Sequence, residues 1–122
     1  MKLRIKGNSI RLRLTQSEVA TFAQTGYIEE QTVFANTKLT YALSKTSNVD
    51  ELSATMEGTT ITVQVPAAIA QNWTDTTEVG FQNQYTNATG NSLFLLVEKD
   101  FVCLDNTFED QSDNYPNPNA VC

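Results

Sequence analysis

The chain repeats itself, and that constrains its fold more than any other feature. Moving the sequence by 51 positions sets Gly7 on Gly58, Ser9 on Thr60, Ile10 on Ile61, Leu12 on Val63, Leu14 on Val65 and Phe22 on Trp73. After a three-residue insertion, Leu39, Tyr41, Leu43 and Lys45 meet Leu93, Leu95, Val97 and Lys99. A duplicated supersecondary unit cannot bury its apolar face alone, so two copies predict one shared interior. At 122 residues the chain is long enough for one such core without disulfide or metal staples. The expected organisation is a single domain: half one over 1–46, half two over 52–100, and an acidic tail over 101–122.

Each copy reads as two strands, a short helix and two more strands. Leu3 and Ile5 alternate with charges, and Gly7-Asn8 is a two-residue turn with Gly first, suited to type II′. Ile10, Leu12 and Leu14 then alternate with Arg11 and Arg13. That register pairs Ile5 with Ile10 and Leu3 with Leu12. A turn at Glu57-Gly58 in the second copy pairs Leu52 with Val63 and Ala54 with Ile61. Thr15-Gln16-Ser17-Glu18 has capping-box spacing, Val19, Phe22 and Ala23 form an apolar helix face, and Gly26 ends it. In the second copy Pro66 takes the first helical position, with Ala67 to Trp73 following. Strands are expected over 27–34, 38–45, 78–85 and 92–99. The fold class is α+β: mostly antiparallel sheet with two short helices, in two pseudo-repeated β-β-α-β-β halves. The pattern leaves open whether the sheets form a sandwich, a barrel or one open sheet.

Charge is as unevenly placed as apolar residues are regular. Net charge is −6, yet five of the eight basic residues, Lys2, Arg4, Lys6, Arg11 and Arg13, precede residue 14. Six of the fourteen acids, Glu98, Asp100, Asp105, Glu109, Asp110 and Asp113, fall in the last 25 residues. The first hairpin's register sets Arg4 opposite Arg11 and Lys2 opposite Arg13. Like charges facing each other across a strand pair are destabilising, so something negative should offset the ridge. Solvent and the protein's own carboxylates are one answer; an anionic ligand or protein partner is the other. The second copy carries Thr62 and Gln64 in place of Arg11 and Arg13, so the ridge belongs to one half.

The tail is the second candidate. Cys103, Asp105, Glu109, Asp110 and Asp113 offer oxygen ligands for a hard cation, with a thiol for a softer one, although an EF-hand's Gly and terminal Glu are missing. The competing reading is a polar segment anchored by Phe101, Phe108 and Tyr115 and packed on its own domain, with the basic ridge as its berth.

Several classes of function find no support. The absence of histidine removes Ser-His-Asp and Cys-His catalysis and the His-containing zinc sets. No Gly-rich phosphate loop occurs, and nothing activates Cys103, which reads as a small buried hydrophobe. The acidic balance argues against bulk adhesion to nucleic acid or to an anionic membrane. The longest apolar run, Leu93 to Val97, is strand-sized, and no signal-peptide pattern is visible. These features predict a cytoplasmic, non-enzymatic binding or interaction module without a cofactor, and reduced cysteines.

The opening, Met1-Lys2-Leu3-Arg4-Ile5-Lys6-Gly7-Asn8-Ser9-Ile10-Arg11-Leu12-Arg13-Leu14-Thr15-Gln16-Ser17-Glu18-Val19, resembles that of a small uncharacterised bacterial family, a domain of unknown function. The ending resembles the same family through Lys99-Asp100-Phe101-Val102-Cys103-Leu104-Asp105, Glu109-Asp110-Gln111-Ser112-Asp113 and Tyr115-Pro116-Asn117-Pro118. The resemblance implies a bacterial source and no assigned activity. A shorter stretch, Gly7-Asn8-Ser9 with Arg11 and Arg13 before a helix, is similar to the DNA-contacting hairpin of swapped-hairpin transition regulators and antitoxins. In that family two chains interleave, which implies that two halves of one chain can imitate the dimer. It also implies DNA binding through Arg4, Arg11 and Arg13. The departures are Thr15-Gln16 where Pro-Lys is expected, and the missing basic pair in the second half.

Overall fold

A computed structural model describes residues 1–101 and 112–116. Along the chain run β1 (Lys2–Ile5), β2 (Ser9–Leu14), α1 (Gln16–Thr25), β3 (Tyr27–Val33), β4 (Lys38–Thr46), β5 (Ser53–Glu57), β6 (Thr60–Pro66), α2 (Ala67–Asp75), β7 (Gly80–Thr86) and β8 (Ser92–Lys99). Cys103, Asp105, Phe108, Glu109 and Asp110 lie outside the described residues.

The strands form two four-stranded sheets, ordered β1-β2-β8-β7 and β3-β4-β6-β5. Neither half builds a sheet of its own. The first hairpin of half one joins the last hairpin of half two, and the two middle hairpins make the other sheet. The pairs within hairpins are antiparallel, while β2–β8 and β4–β6, where the halves meet, are parallel. Registers at those two seams match through the repeat. Ile10 lies beside Leu95 and Leu12 beside Val97; Ile61 lies beside Tyr41 and Val63 beside Leu43. A pseudo-two-fold relation therefore holds residue by residue.

Period-two alternation explains the interior. Leu12, Leu14, Val63, Val65, Leu43 and Val97 are buried and alternate with more exposed neighbours, except at Ala42 and Pro66, which are buried too. Each fully buried aliphatic side chain contributes about 1.5–3 kcal/mol. The helices add the two largest anchors, which are repeat equivalents. Phe22 is 0% and Trp73 1% exposed, with their rings edge-on at 6.3 Å. Trp73 also meets Phe81 edge-on at 5.3 Å and donates from Nε1 to the Val79 carbonyl at 3.0 Å, so its one polar atom is satisfied.

Local signals decide the helix ends. The Thr15 amide donates to Glu18 Oε1 at 2.9 Å, completing the return half of the capping box, and Gly26 closes α1 with φ of +76°. Pro66 is not the first helical residue. It ends β6 and stands at the N-cap of α2, where its extended ψ of 138° continues the strand to the helix start. Ala23 is exposed rather than part of the buried helix face.

The first hairpin has the expected register, with Lys6 and Ser9 exchanging both backbone hydrogen bonds at 3.2 Å around Gly7-Asn8. The second differs by two residues: Ala54 pairs with Val63 and Met56 with Ile61, so Leu52 faces neither. The reason is the turn glycine. Gly58 adopts φ of +57° at the first loop position, as Gly7 does at +54°, so the loop is Gly58-Thr59.

Candidate binding surface on the basic hairpin

Burial of Leu12 and Leu14 turns Arg11 and Arg13 to the outer face of the β1-β2-β8-β7 sheet. The cross-strand partners follow from register. One row reads Arg4, Arg11, Leu96 and Gln82; the next reads Lys2, Arg13, Glu98 and Gly80. Both like-charge pairs expected across the first hairpin are therefore present.

Carboxylates answer part of this ridge. Arg13 Nε donates to Glu98 Oε1 at 2.7 Å, and Arg11 Nε approaches the same oxygen at 3.7 Å. Lys2 Nζ meets Asp100 Oδ2 at 3.0 Å, where Asp100 is only 4% exposed. Among the described residues Arg4 and Lys6 make no ion pair. Arg11 and Arg13 thus share Glu98, and Arg4 is exposed at one end of its row. Residue pattern alone did not single out Glu98, because it stands 85 residues from Arg13 and reaches it only through the β2–β8 seam.

The equivalent face of the other sheet is uncharged at these positions. Ser53 and Gln64 occupy the places of Lys2 and Arg13 and are joined by a 3.2 Å hydrogen bond, while Thr55 and Thr62 replace Arg4 and Arg11. The charge asymmetry read from the repeat thus becomes a difference between two faces of one body.

The described part of the tail does not lie on the arginines. Residues 112–116 pack against the start of α1 and the end of β8 instead. The Gln16 amide donates to the Asp113 carbonyl at 3.1 Å, the Ser17 amide to Asp113 Oδ1 at 3.3 Å, and Gln16 Nε2 to the Asn114 carbonyl at 3.1 Å. Tyr115 donates its amide to the Asp100 carbonyl at 2.8 Å, and its ring lies tilted against that of Phe101 with ring centres 5.5 Å apart. The physical reason is that a helix N-terminus offers unpaired N–H groups and a positive dipole end, which hold a carboxylate in fixed geometry. Flexible, solvated arginine heads offer less. Bonds from the Ser17 hydroxyl, then Thr15, hold the Asp113 carboxyl below its ordinary value.

Beside this contact sits a second polar centre. Burial works against ionisation of Glu18, but hydrogen bonds from the Met1 amine and from Thr15 outweigh it and keep the carboxyl below its usual value. Lys99, 6% exposed, donates from Nζ to the Thr76 carbonyl at 2.8 Å and lies near the rings of Trp73 and Tyr115. Burial lowers its pKa from 10.5, against the pull of Glu78.

Of the five proposed metal ligands, only Asp113 is described, and it is committed to α1. Among the described residues no three metal-ligating side chains gather, and no helix is long and apolar enough to cross a membrane.

Comparison with protein families supplies the grouping. The chain belongs to DUF7009, a family of unknown function, matched over residues 1–119. Comparisons with curated proteins and with solved structures give no match. The match runs through both halves and the docked part of the tail, so this DUF7009 domain takes in the β-β-α-β-β pair and the contact of Asp113 with α1 alike.

Proposed function

We propose that this protein is a non-enzymatic binding module that docks an anionic ligand or an acidic protein surface on its basic hairpin. The observation that carries the reading is the row Arg4–Arg11–Leu96. Two guanidinium groups stand directly opposed on an exposed face of an acidic chain, with one shared carboxylate near Arg11 and, among the described residues, none at Arg4. A fold gains nothing from opposing two like charges, whereas paired guanidinium groups bind carboxylate or phosphate bidentately. Leu96 beside them supplies apolar contact area. The test is calorimetric titration with pyrophosphate and with a poly-glutamate peptide at about 50 mM and about 200 mM salt. Saturable binding that weakens with salt and is lost in Arg4→Gln/Arg11→Gln supports the module. Identical heats for wild type and double variant would remove it.

A second reading has one specific observation in its favour. Interleaving of the two halves, each sheet taking one hairpin from each, is the arrangement a single-chain version of a swapped-hairpin regulator requires. Such a regulator would contact duplex DNA through Arg4, Arg11 and Arg13. Thr62 and Gln64 on the equivalent face speak against a symmetric DNA contact. No retention of duplex DNA at about 50 mM salt ends this reading. For the tail's metal reading, Cys103, Asp105, Glu109 and Asp110 would have to recruit Asp113 away from α1. Elemental analysis of purified protein without stoichiometric metal ends that one.

A further inference from the structure

The repeat makes Lys45 the equivalent of Lys99 and Phe22 the equivalent of Trp73, and the registers of β3–β4 and β7–β8 set Gly26 and Val79 at matching places. The backbone bears this out at both places: Lys45 donates its amide to the Gly26 carbonyl at 2.8 Å, and Lys99 donates to the Val79 carbonyl at 2.9 Å. The two lysines nevertheless live in different surroundings. At Lys99 the chain supplies its own aromatic cover, with the ammonium 5.9 Å from the Trp73 ring centre and 5.5 Å from that of Tyr115. At Lys45 no described segment provides that cover. Instead Lys45, Phe22, Ala23, Ala70, Thr74 and Asp75 line a cleft of about 280 Å³ between α1 and α2.

We propose that this cleft is a docking site for a tyrosyl side chain, placed over Lys45 as Tyr115 is placed over Lys99. Volume, chemistry and precedent within the molecule agree. A cavity of roughly 150 Å³ accepts a benzene ring, so the cleft has room for a phenol. Phe22 and Ala70 lie beneath the cleft, Thr74 and Asp75 make its walls polar, and the Lys45 ammonium gives the ring face a cation. The Lys45 stem passes close to Gly26, where an added Cβ would stand 3.3 Å from Cε, so the α1 C-terminus sets where the ammonium is presented. Asp75 at the rim offers an acceptor for the phenol hydroxyl. Lys45 and Asp75 make no ion pair with each other or with any other described residue, so neither has to be released to bind. This site is separate from the basic hairpin and stands whether or not that surface binds anions.

The test uses the whole protein and two probes: N-acetyl-tyrosinamide, and the end-blocked peptide Ser-Asp-Asn-Tyr-Pro copied from residues 112–116. Carbon-resolved NMR follows the lysine ε protons, which an overlying ring moves upfield. Saturable upfield movement at Lys45, with a dissociation constant on the order of 1 mM, is expected for one or both probes. Equal affinities assign recognition to the ring alone; tighter peptide binding adds the flanking groups; both support the site. Ala23→Leu fills the cleft from an exposed helix position and should weaken binding about tenfold or more, roughly 1.4 kcal/mol. The variant's amide spectrum checks that it stays folded. Absence of any Lys45 shift at about 20 mM probe, movement of Lys99 in its place, or undiminished binding to a folded Ala23→Leu variant would each overturn the proposal.

Discussion

Removing Arg4 should make the protein more stable, while removing Arg13 should make it less so, although the two side chains share one ridge. Arg4 faces Arg11 across β1–β2 and meets no carboxylate among the described residues, whereas Arg13 holds Glu98 at 2.7 Å. Two guanidinium groups roughly 6 Å apart repel by about 0.7 kcal/mol in bulk water, in line with like-charge pairs across strands. Arg4→Gln should therefore raise unfolding free energy by about 0.3–0.7 kcal/mol at low salt. Arg13→Gln should lower it by about 0.5–1 kcal/mol, discounted because the Arg13 side chain is 42% exposed. Trp73, the single tryptophan and fully buried, reports unfolding by fluorescence. With a urea slope of about 1–3 kcal/mol per M, the midpoints should move apart by several tenths of a molar unit. At about 1 M salt, where the screening length falls to about 3 Å, the Arg4 gain should vanish. A lower midpoint for Arg4→Gln at 10 mM salt, or a gain indifferent to salt, would refute the account of the ridge.

Four further outcomes follow from named contacts. Gly80→Ala places a Cβ 2.4 Å from the Val97 carbonyl oxygen, and should destabilise by about 1–3 kcal/mol or more by forcing β7 from β8, read from urea midpoints. Phe22→Ala empties a fully buried site against Trp73 and should cost about 3–5 kcal/mol, with the Trp73 emission shifted in the native baseline. Because its native carboxyl is held below 3.8, Asp113 favours tail docking at all pH values above that. The contribution fades as pH falls through the lower native value, and the Ser17 amide resonance should follow it. Lys99 is shifted the other way from a lysine in a salt bridge: burial lowers its pKa, so the unfolded chain binds more protons and stability rises with pH up to 10.5. Tyr115→Ala should return the Lys99 titration, followed by NMR at Cε, toward 10.5.

Much of the candidate surface was legible because its determinants are local. Alternation in residues 2–14 sets the facing pairs Arg4–Arg11 and Lys2–Arg13, and Gly7 sets their register. The same turn logic placed Gly58 one position too late, and the pairing of β5 with β6 shifted by two. The repeat itself contained the correction, since moving Leu3–Leu12 by 51 gives Ala54–Val63. What neutralises the ridge was not legible. Glu98 and Asp100 are distant in sequence, and their approach depends on a parallel seam that no local pattern announces. The berth of residues 112–116 was not legible for a related reason: a string of carboxylates suggests basic partners, while a capped helix start offers N–H donors that composition does not display.

The amino-acid sequence alone determined the two β-β-α-β-β units, the faces of their strands, the start of α1 and the concentration of positive charge in one hairpin. Each rests on periods of two to four residues, where sterics and backbone hydrogen bonding act between near neighbours. Only the tertiary structure decided that each half lends one hairpin to each sheet, that Glu98 sits against Arg13, and that Lys99 is covered by Tyr115 while no described segment covers Lys45. Those outcomes depend on burying both apolar faces at once, and many pairings of hairpins satisfy the local rules before packing selects one.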